Sequence, residues 1–192
     1  MANYNYKGNR VHTTSQWRWI YDPEQQQLQI ELEQGVFHNA PYKPSKLVPL
    51  YAMNAAFSME DAATFQSFFD ALEASNCLSP TVILAAALNH TIYQRFGRPQ
   101  MPQSWYFQTA EHPLDSALEI GTLVRLNSGL ADVLCAISSI EGEFVECLVL
   151  ADEFPLSDIK VLRQYDVIKV MPNRLQPALS QSQSTTDTLR QA

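Results

Sequence analysis

Apolar and polar positions alternate over residues 17–33, recur at helical spacing over residues 58–97, and return to short strand-like runs after residue 117. In Trp17-Arg18-Trp19-Ile20-Tyr21-Asp22 the three rings fall on one face of a strand and Arg18, Ile20 and Asp22 on the other. Leu28, Ile30 and Leu32 alternate with Gln29, Glu31 and Glu33. Turn-forming Asp22-Pro23 and a run of glutamines separate the two stretches, which predicts a β-hairpin with an aromatic and an aliphatic inner face. Burial is the default for at least two of the rings, and the others are candidates to line a partner groove.

Residues 35–38 read as a third strand. Pro41, Pro44 and Pro49 then interrupt the chain, and residues 46–51 read as an edge strand, where proline is tolerated. Ser58 with Glu60 and Asp61 opens a helix whose stripe is Phe65, Phe68, Phe69 and Leu72, and which ends near Ser75-Asn76. Ser79-Pro80 opens a second helix, with Gly97 as its C-cap. Residues 82–88 are apolar all round, so this helix is expected between layers, with His90 a hydrogen-bonded core residue. Two prolines in Arg98-Pro99-Gln100-Met101-Pro102 predict an extended connector. Residues 104–109 read as a strand with Trp105 and Phe107 on one face.

The domain change is placed at residues 111–113, and the texture beyond it is all-β. Strands are predicted at 117–126, 131–140, 143–151, 159–162 and 166–171. A tight turn at Glu141-Gly142 would set Cys147 opposite Ala136, which counts against a disulfide with Cys135. The organisation is therefore an α/β domain over 1–112 with a leader at 1–16, a curled sheet or barrel over 113–177, and a tail at 178–192 too polar to order itself.

Net charge changes the picture of partners. At −7, with 13 basic residues in 192, the chain is a poor match for a phosphate backbone, so no nucleic acid is expected. Two stretches, 47–94 and 131–159, hold acids and no Lys or Arg; a solvated face is the ordinary explanation, and a surface steering a basic peptide is the other. No apolar run reaches the ~20 residues of a membrane span, and no secretory h-region is visible. Three cysteines without framework spacing read as reduced thiols of a cytoplasmic protein.

The sequence holds no Walker A loop, G-x-G-x-x-G, H-E-x-x-H, G-x-S-x-G or C-x-x-C. Its four histidines are scattered, and Glu141 and Glu143 flank a turn where both are solvated. No metal, cofactor or catalytic residue is expected, and the chain reads as a non-enzymatic binding protein. One alternative is a Royal-type reader in which Trp17, Trp19 and Tyr21 cage a methylated Lys or Arg.

Three stretches carry a resemblance: Trp17-Arg18-Trp19-Ile20-Tyr21-Asp22, Pro99-Gln100-Met101-Pro102-Gln103-Ser104-Trp105, and Asp166-Val167-Ile168-Lys169-Val170-Met171-Pro172-Asn173-Arg174-Leu175-Gln176-Pro177. In order and spacing they are similar to the Z-ring-associated cell-division family ZapC of gammaproteobacteria. The resemblance implies an α+β fold of two small domains, an N-terminal chromo-like one with helices and a C-terminal Tudor-like sheet or barrel. It implies a cytoplasmic accessory protein at the division septum that binds the C-terminal tail of the GTPase FtsZ, bundles its filaments and lowers its GTPase activity. Gln103 and Gln176 stand where family members can carry Lys, so apolar anchoring gains weight here. The candidate contacts are Trp19, Ile30, Arg98, Pro99, Met101, Pro102 and Trp105, with Lys169 and Arg174 as a second contact. Bundling needs two sites per particle, supplied by two domains or by a homodimer.

Overall fold

The computed structural model describes residues 16–112, 114 and 117–178. Apart from Gln16 and Ala178, the expected leader and tail lie outside the described residues. Strands β1 (Arg18–Asp22) and β2 (Gln27–Glu31) form the expected hairpin, with Trp19 opposite Ile30. The third strand, β3 (Phe37–Asn39), lies beside β2. The edge strand expected at 46–51 is displaced. Pro44–Lys46 is a 3-10 turn, and Leu47 makes one isolated bridge to Gly97. Proline lacks the donor that a ladder needs, so pairing resumes only past Pro49, as β4 (Met53–Ala56) against β1. The sheet order is β3-β2-β1-β4.

Helix α1 (Met59–Ala74) starts at a reciprocal cap: Asp61 N donates to Ser58 Oγ at 3.1 Å, and Ser58 N donates to the Asp61 carboxylate at 2.8 Å. Its stripe of Phe65, Phe68, Phe69 and Leu72 is buried as expected. Helix α2 (Pro80–Phe96) carries Ser79 as N-cap. Its C-cap, Gly97, answers to space, since a Cβ there would meet Tyr93 O at 2.5 Å and the Tyr93 ring at 2.9 Å.

The second half is antiparallel. Strands β5 (Leu123–Asn127), β6 (Asp132–Glu141), β7 (Phe144–Val149), β10 (Val167–Val170) and β11 (Gln176–Pro177) form a sheet in the order β10-β7-β6-β5-β11. It has two edges and does not close into a barrel among the described residues. A separate hairpin, β8 (Glu153–Ser157) with β9 (Lys160–Arg163), covers its outer face. Strand β8 has no counterpart in the predicted set, because Pro155 interrupts its short alternation. Pairing of β5 begins only at Leu123, after a turn in which Gly121 has φ +87°. The β6–β7 turn is Gly142-Glu143, one residue later than expected, and a bulge at Ser138 shifts the register, so Cys147 faces Ile137. Cys135 and Cys147 are buried free thiols.

Two hydrophobic clusters tie these layers together. One joins the first sheet and both helices to Ala136, Leu148, Leu150 and Val167 of the second half. The other lies between the second sheet and the β8–β9 hairpin and takes in Phe107. Helix α2 is thus walled on two sides, as its apolar circumference requires. Toward the first sheet, Asn89 Oδ1 lies 3.2 Å from a His38 nitrogen. Toward the second, His90 Nδ1 lies 3.0 Å from Ser138 Oγ, and its ring stacks on Phe68 at 3.8 Å between centroids. The Tyr42 hydroxyl, between the halves, lies 3.1 Å from Asn89 O and 3.0 Å from Tyr165 O.

Burial pushes His90 down to about 3 and holds His38 below its ordinary value, the latter partly offset by the Asn89 bond. Both rings titrate normally once unfolded. The unfolded chain therefore binds more protons below the ordinary histidine value, and stability present above it falls as pH drops. For His90 the slope is about 1.4 kcal/mol per pH unit on the acid side of about 6.5. Urea melts at neutral and mildly acid pH are expected to show this loss, and His90→Gln is expected to flatten it.

Candidate functional site

The connector, residues 98–105, leaves the end of α2 and runs along the β10 edge. Arg98 N donates to Lys46 O at 2.9 Å, and Tyr93 Oη donates to Arg98 O at 3.1 Å. Further on, Gln100 Nε2 donates to Val167 O at 2.9 Å and Gln103 N to Lys169 O at 2.8 Å. The strand expected at 104–109 is absent. Ser104–Tyr106 is a 3-10 turn, pinned where Met171 N donates to Ser104 Oγ at 2.8 Å. That turn separates Trp105 from Phe107: Phe107 enters the second core, and Trp105 points outward.

Trp105 is 72% exposed and Met101 79%. Pro99 is exposed, Pro102 half-buried, and Met171 adds partly exposed surface beside Ser104. Cations flank them. Lys160 Nζ bonds Gln103 Oε1 and sits 4.5 Å from the Tyr106 ring centroid. Arg174 donates to Phe107 O at 3.2 Å and to Thr109 Oγ1 at 2.5 Å; its Nε is buried with no partner among the described residues. Arg98 Nε donates to Leu47 O. Lys169 is the exception, since its Nζ pairs with Glu141 at 2.6 Å.

The charge distribution sets this face apart. Among the described residues, Arg95, Arg125, Arg163 and Lys169 pair with carboxylates. Arg18, Lys43, Lys46, Arg98, Lys160 and Arg174 do not, and all but Arg18 lie on the connector or on segments bonded to it. Residues 34–59, 74–110 and 167–178 contain no Asp or Glu, and the fold brings parts of all three together here. The face is apolar and cationic on a chain of net charge −7.

Six candidate contacts, Arg98, Pro99, Met101, Pro102, Trp105 and Arg174, therefore lie on or against one track, whereas Lys169 meets it only through its backbone O, its side chain being turned to Glu141. Trp19 and Ile30 lie off it. Both are fully enclosed in the core, so the hairpin groove expected there is not open. Trp19 stacks on Phe57, meets Phe96 edge-on and donates Nε1 to Asp61 at 2.9 Å. The aromatic cage of the alternative reading is closed too. Trp17 and Trp19 are core, and the cation over the Trp19 ring, at 5.6 Å, is the chain's own Arg95. Sequence reasoning misses Lys160 because only the β8–β9 hairpin brings it to the connector; the run of residues without acids is the available signal. No group of His, Cys, Asp and Glu among the described residues could hold a metal ion.

Comparison with known proteins gives the class first: a cell-division protein. Residues 10–98 match the family described as cell-division protein ZapC, N-terminal, and residues 99–181 match its C-terminal counterpart. The chain belongs to the ZapC family. It is 42% identical over 172 residues to cell division protein ZapC of Idiomarina loihiensis, covering 88% of this chain and 91% of the relative. It is 33% identical over 161 residues to the Shewanella woodyi protein of that name, covering 84% and 88%. The α+β, two-part architecture agrees with the division into N- and C-terminal family segments. No helix among the described residues is long and apolar enough to cross a membrane.

Proposed function

We propose that this chain is a non-enzymatic, cytoplasmic accessory protein at the division septum, binding FtsZ through the connector face. On this reading it bundles FtsZ filaments, stabilises the Z-ring and lowers FtsZ's GTPase activity. The supporting observation is the convergence of exposed Met101 and Trp105 with cations that lack carboxylate partners on an otherwise acidic protein. An extended acidic segment with apolar side chains, such as the FtsZ tail, complements both features. Ordering a mobile tail costs free energy, which a few buried anchors must offset. Trp105 is the anchor of choice, as a large ring that loses little conformational freedom. Lys160 and Arg98 steer approach and set the salt dependence.

Calorimetry with FtsZ, with its tail peptide, and with FtsZ lacking the tail tests this. Trp105→Ala is expected to weaken binding by about 2 kcal/mol, roughly thirtyfold. Lys160→Glu is expected to slow association and reduce its salt dependence. Binding untouched by both substitutions would overturn the site. Undiminished binding to tail-less FtsZ would move the contact to the GTPase body.

A further inference from the structure

The connector starts in a short antiparallel pairing with the chain just before Pro49. Leu47 bridges Gly97, Arg98 N donates to Lys46 O at 2.9 Å, and Val48 N donates to Phe96 O at 2.8 Å. That register sets Lys46 and Arg98 opposite each other, where Cβ atoms lie about 5 Å apart and like charges repel. Arg98 Nε is tied to Leu47 O at 2.5 Å, so the guanidinium stays beside the pairing. Lys46 N donates to Lys43 O at 2.8 Å, closing the turn that brings a third cation, exposed Lys43, alongside. Among the described residues none of the three forms an ion pair, and residues 34–59 and 74–110 hold no Asp or Glu. Of the carboxylates around β10, Glu141 holds Lys169 at 2.6 Å, Glu146 accepts from Ser139 Oγ at 3.1 Å, and Asp166 accepts from Arg163 N at 2.8 Å. The repulsion between Lys46 and Arg98 is thus unrelieved, and an anion placed between them removes it.

From Arg98 the connector passes Pro99, Met101 and Pro102 to Ser104 and Trp105. At its far end Lys160 bonds Gln103, and Arg174 bonds Phe107 O and Thr109 Oγ1. The track therefore runs cation, apolar, cation. We infer that Lys46, with Lys43 and Arg98, forms a second anion-binding end of the connector face, and that the face takes an extended peptide segment with acidic side chains on both sides of an apolar middle. Charge complementarity selects this occupant. A purely apolar segment leaves both groups of cations unpaired, and one with acids on a single side leaves one group unpaired. Ser104 lies six residues past Arg98, about 20 Å at full extension, so about six residues separate the acidic ends of the bound segment. The inference rests on the connector face being the docking site, and it extends that site onto the first half of the chain, so that one ligand spans both halves.

Fluorescence anisotropy on the full chain tests it, with labelled synthetic peptides that share one Leu-Phe core and carry an Asp pair before it, after it, or on both sides. The two-sided peptide is expected to bind about fivefold or more tighter than either one-sided peptide. Lys46→Glu and Lys160→Glu are each expected to weaken the two-sided peptide by about fivefold, while each one-sided peptide responds to only one of the two reversals. Lys46→Glu sets opposite charges across the pairing, so its melting temperature is expected to hold or rise while binding falls. A melting temperature that drops together with binding marks Lys46 as a structural residue and overturns its role. Should Lys46→Glu fail to fold, exposed Lys43→Glu carries the test. If neither Lys46→Glu nor Lys43→Glu alters any peptide while Trp105→Ala and Lys160→Glu still weaken binding, the two-ended site is overturned and the docking reading stands. If none of the four substitutions matters, both are overturned.

Discussion

Replacing Trp19 by alanine lowers the stability of the whole chain by about 3–5 kcal/mol, the range for deleting a fully buried large ring. The substitution takes the stacking partner from Phe57 and the edge contact from Phe96. It also withdraws a donor from Asp61, which lies where α1, α2 and β1 meet. Burial raises the pKa of that carboxyl, but hydrogen bonds from Arg95, Trp19 and Ser58 together outweigh it, and the net value lies below the ordinary range. Losing the indole leaves a cavity and one fewer bond on a buried anion. Urea unfolding followed by circular dichroism is expected to show the midpoint falling. FtsZ binding by the surviving folded fraction is expected to be unchanged, which separates a core residue from a docking residue. A variant that kept its stability and lost binding would return Trp19 to the interface.

The second large effect is at Gly121. Its φ of +87° strains any residue with a Cβ, and a Cβ placed there collides with the Cβ of Ala71 on α1. Gly121 N also donates to Ile137 O at 2.8 Å, so the turn is held on β6 and has little room to retreat. Left-handed strain of about 1–2 kcal/mol and overpacking of about 1–3 kcal/mol put Gly121→Ala at about 2–5 kcal/mol. Gly35 is the control. It has φ +73°, but a Cβ there would meet nothing within 4 Å, so Gly35→Ala carries the strain alone. Thermal melts of the two variants separate the steric part from the conformational part.

The hairpin, both helices and their caps are legible in the sequence because each is set by local periodicity and local hydrogen bonds. The site is only half legible. Alternation says that Trp17, Trp19 and Tyr21 share a face; it does not say whether anything covers that face. The cover is α1 and α2, which arrive some forty residues later or more. Aromatic density therefore suggests a groove where the chain has built a core. Alternation around Trp105 likewise suggests a strand, and the 3-10 turn that swings the ring outward depends on Ser104 meeting Met171. The cationic rim is hidden because Lys160, Arg98 and Arg174 are far apart along the chain.

The two walls around α2 have a consequence for biosynthesis. The first sheet and α1 precede α2 in the chain, but Ala136 and Leu148, which close its other side, follow well after Phe96. At translation rates of about 5–20 residues per second, that flank waits several seconds for its cover. During that interval the nascent chain carries an alanine- and leucine-rich ridge open to chaperones, and ribosome pausing in the second half would prolong its exposure.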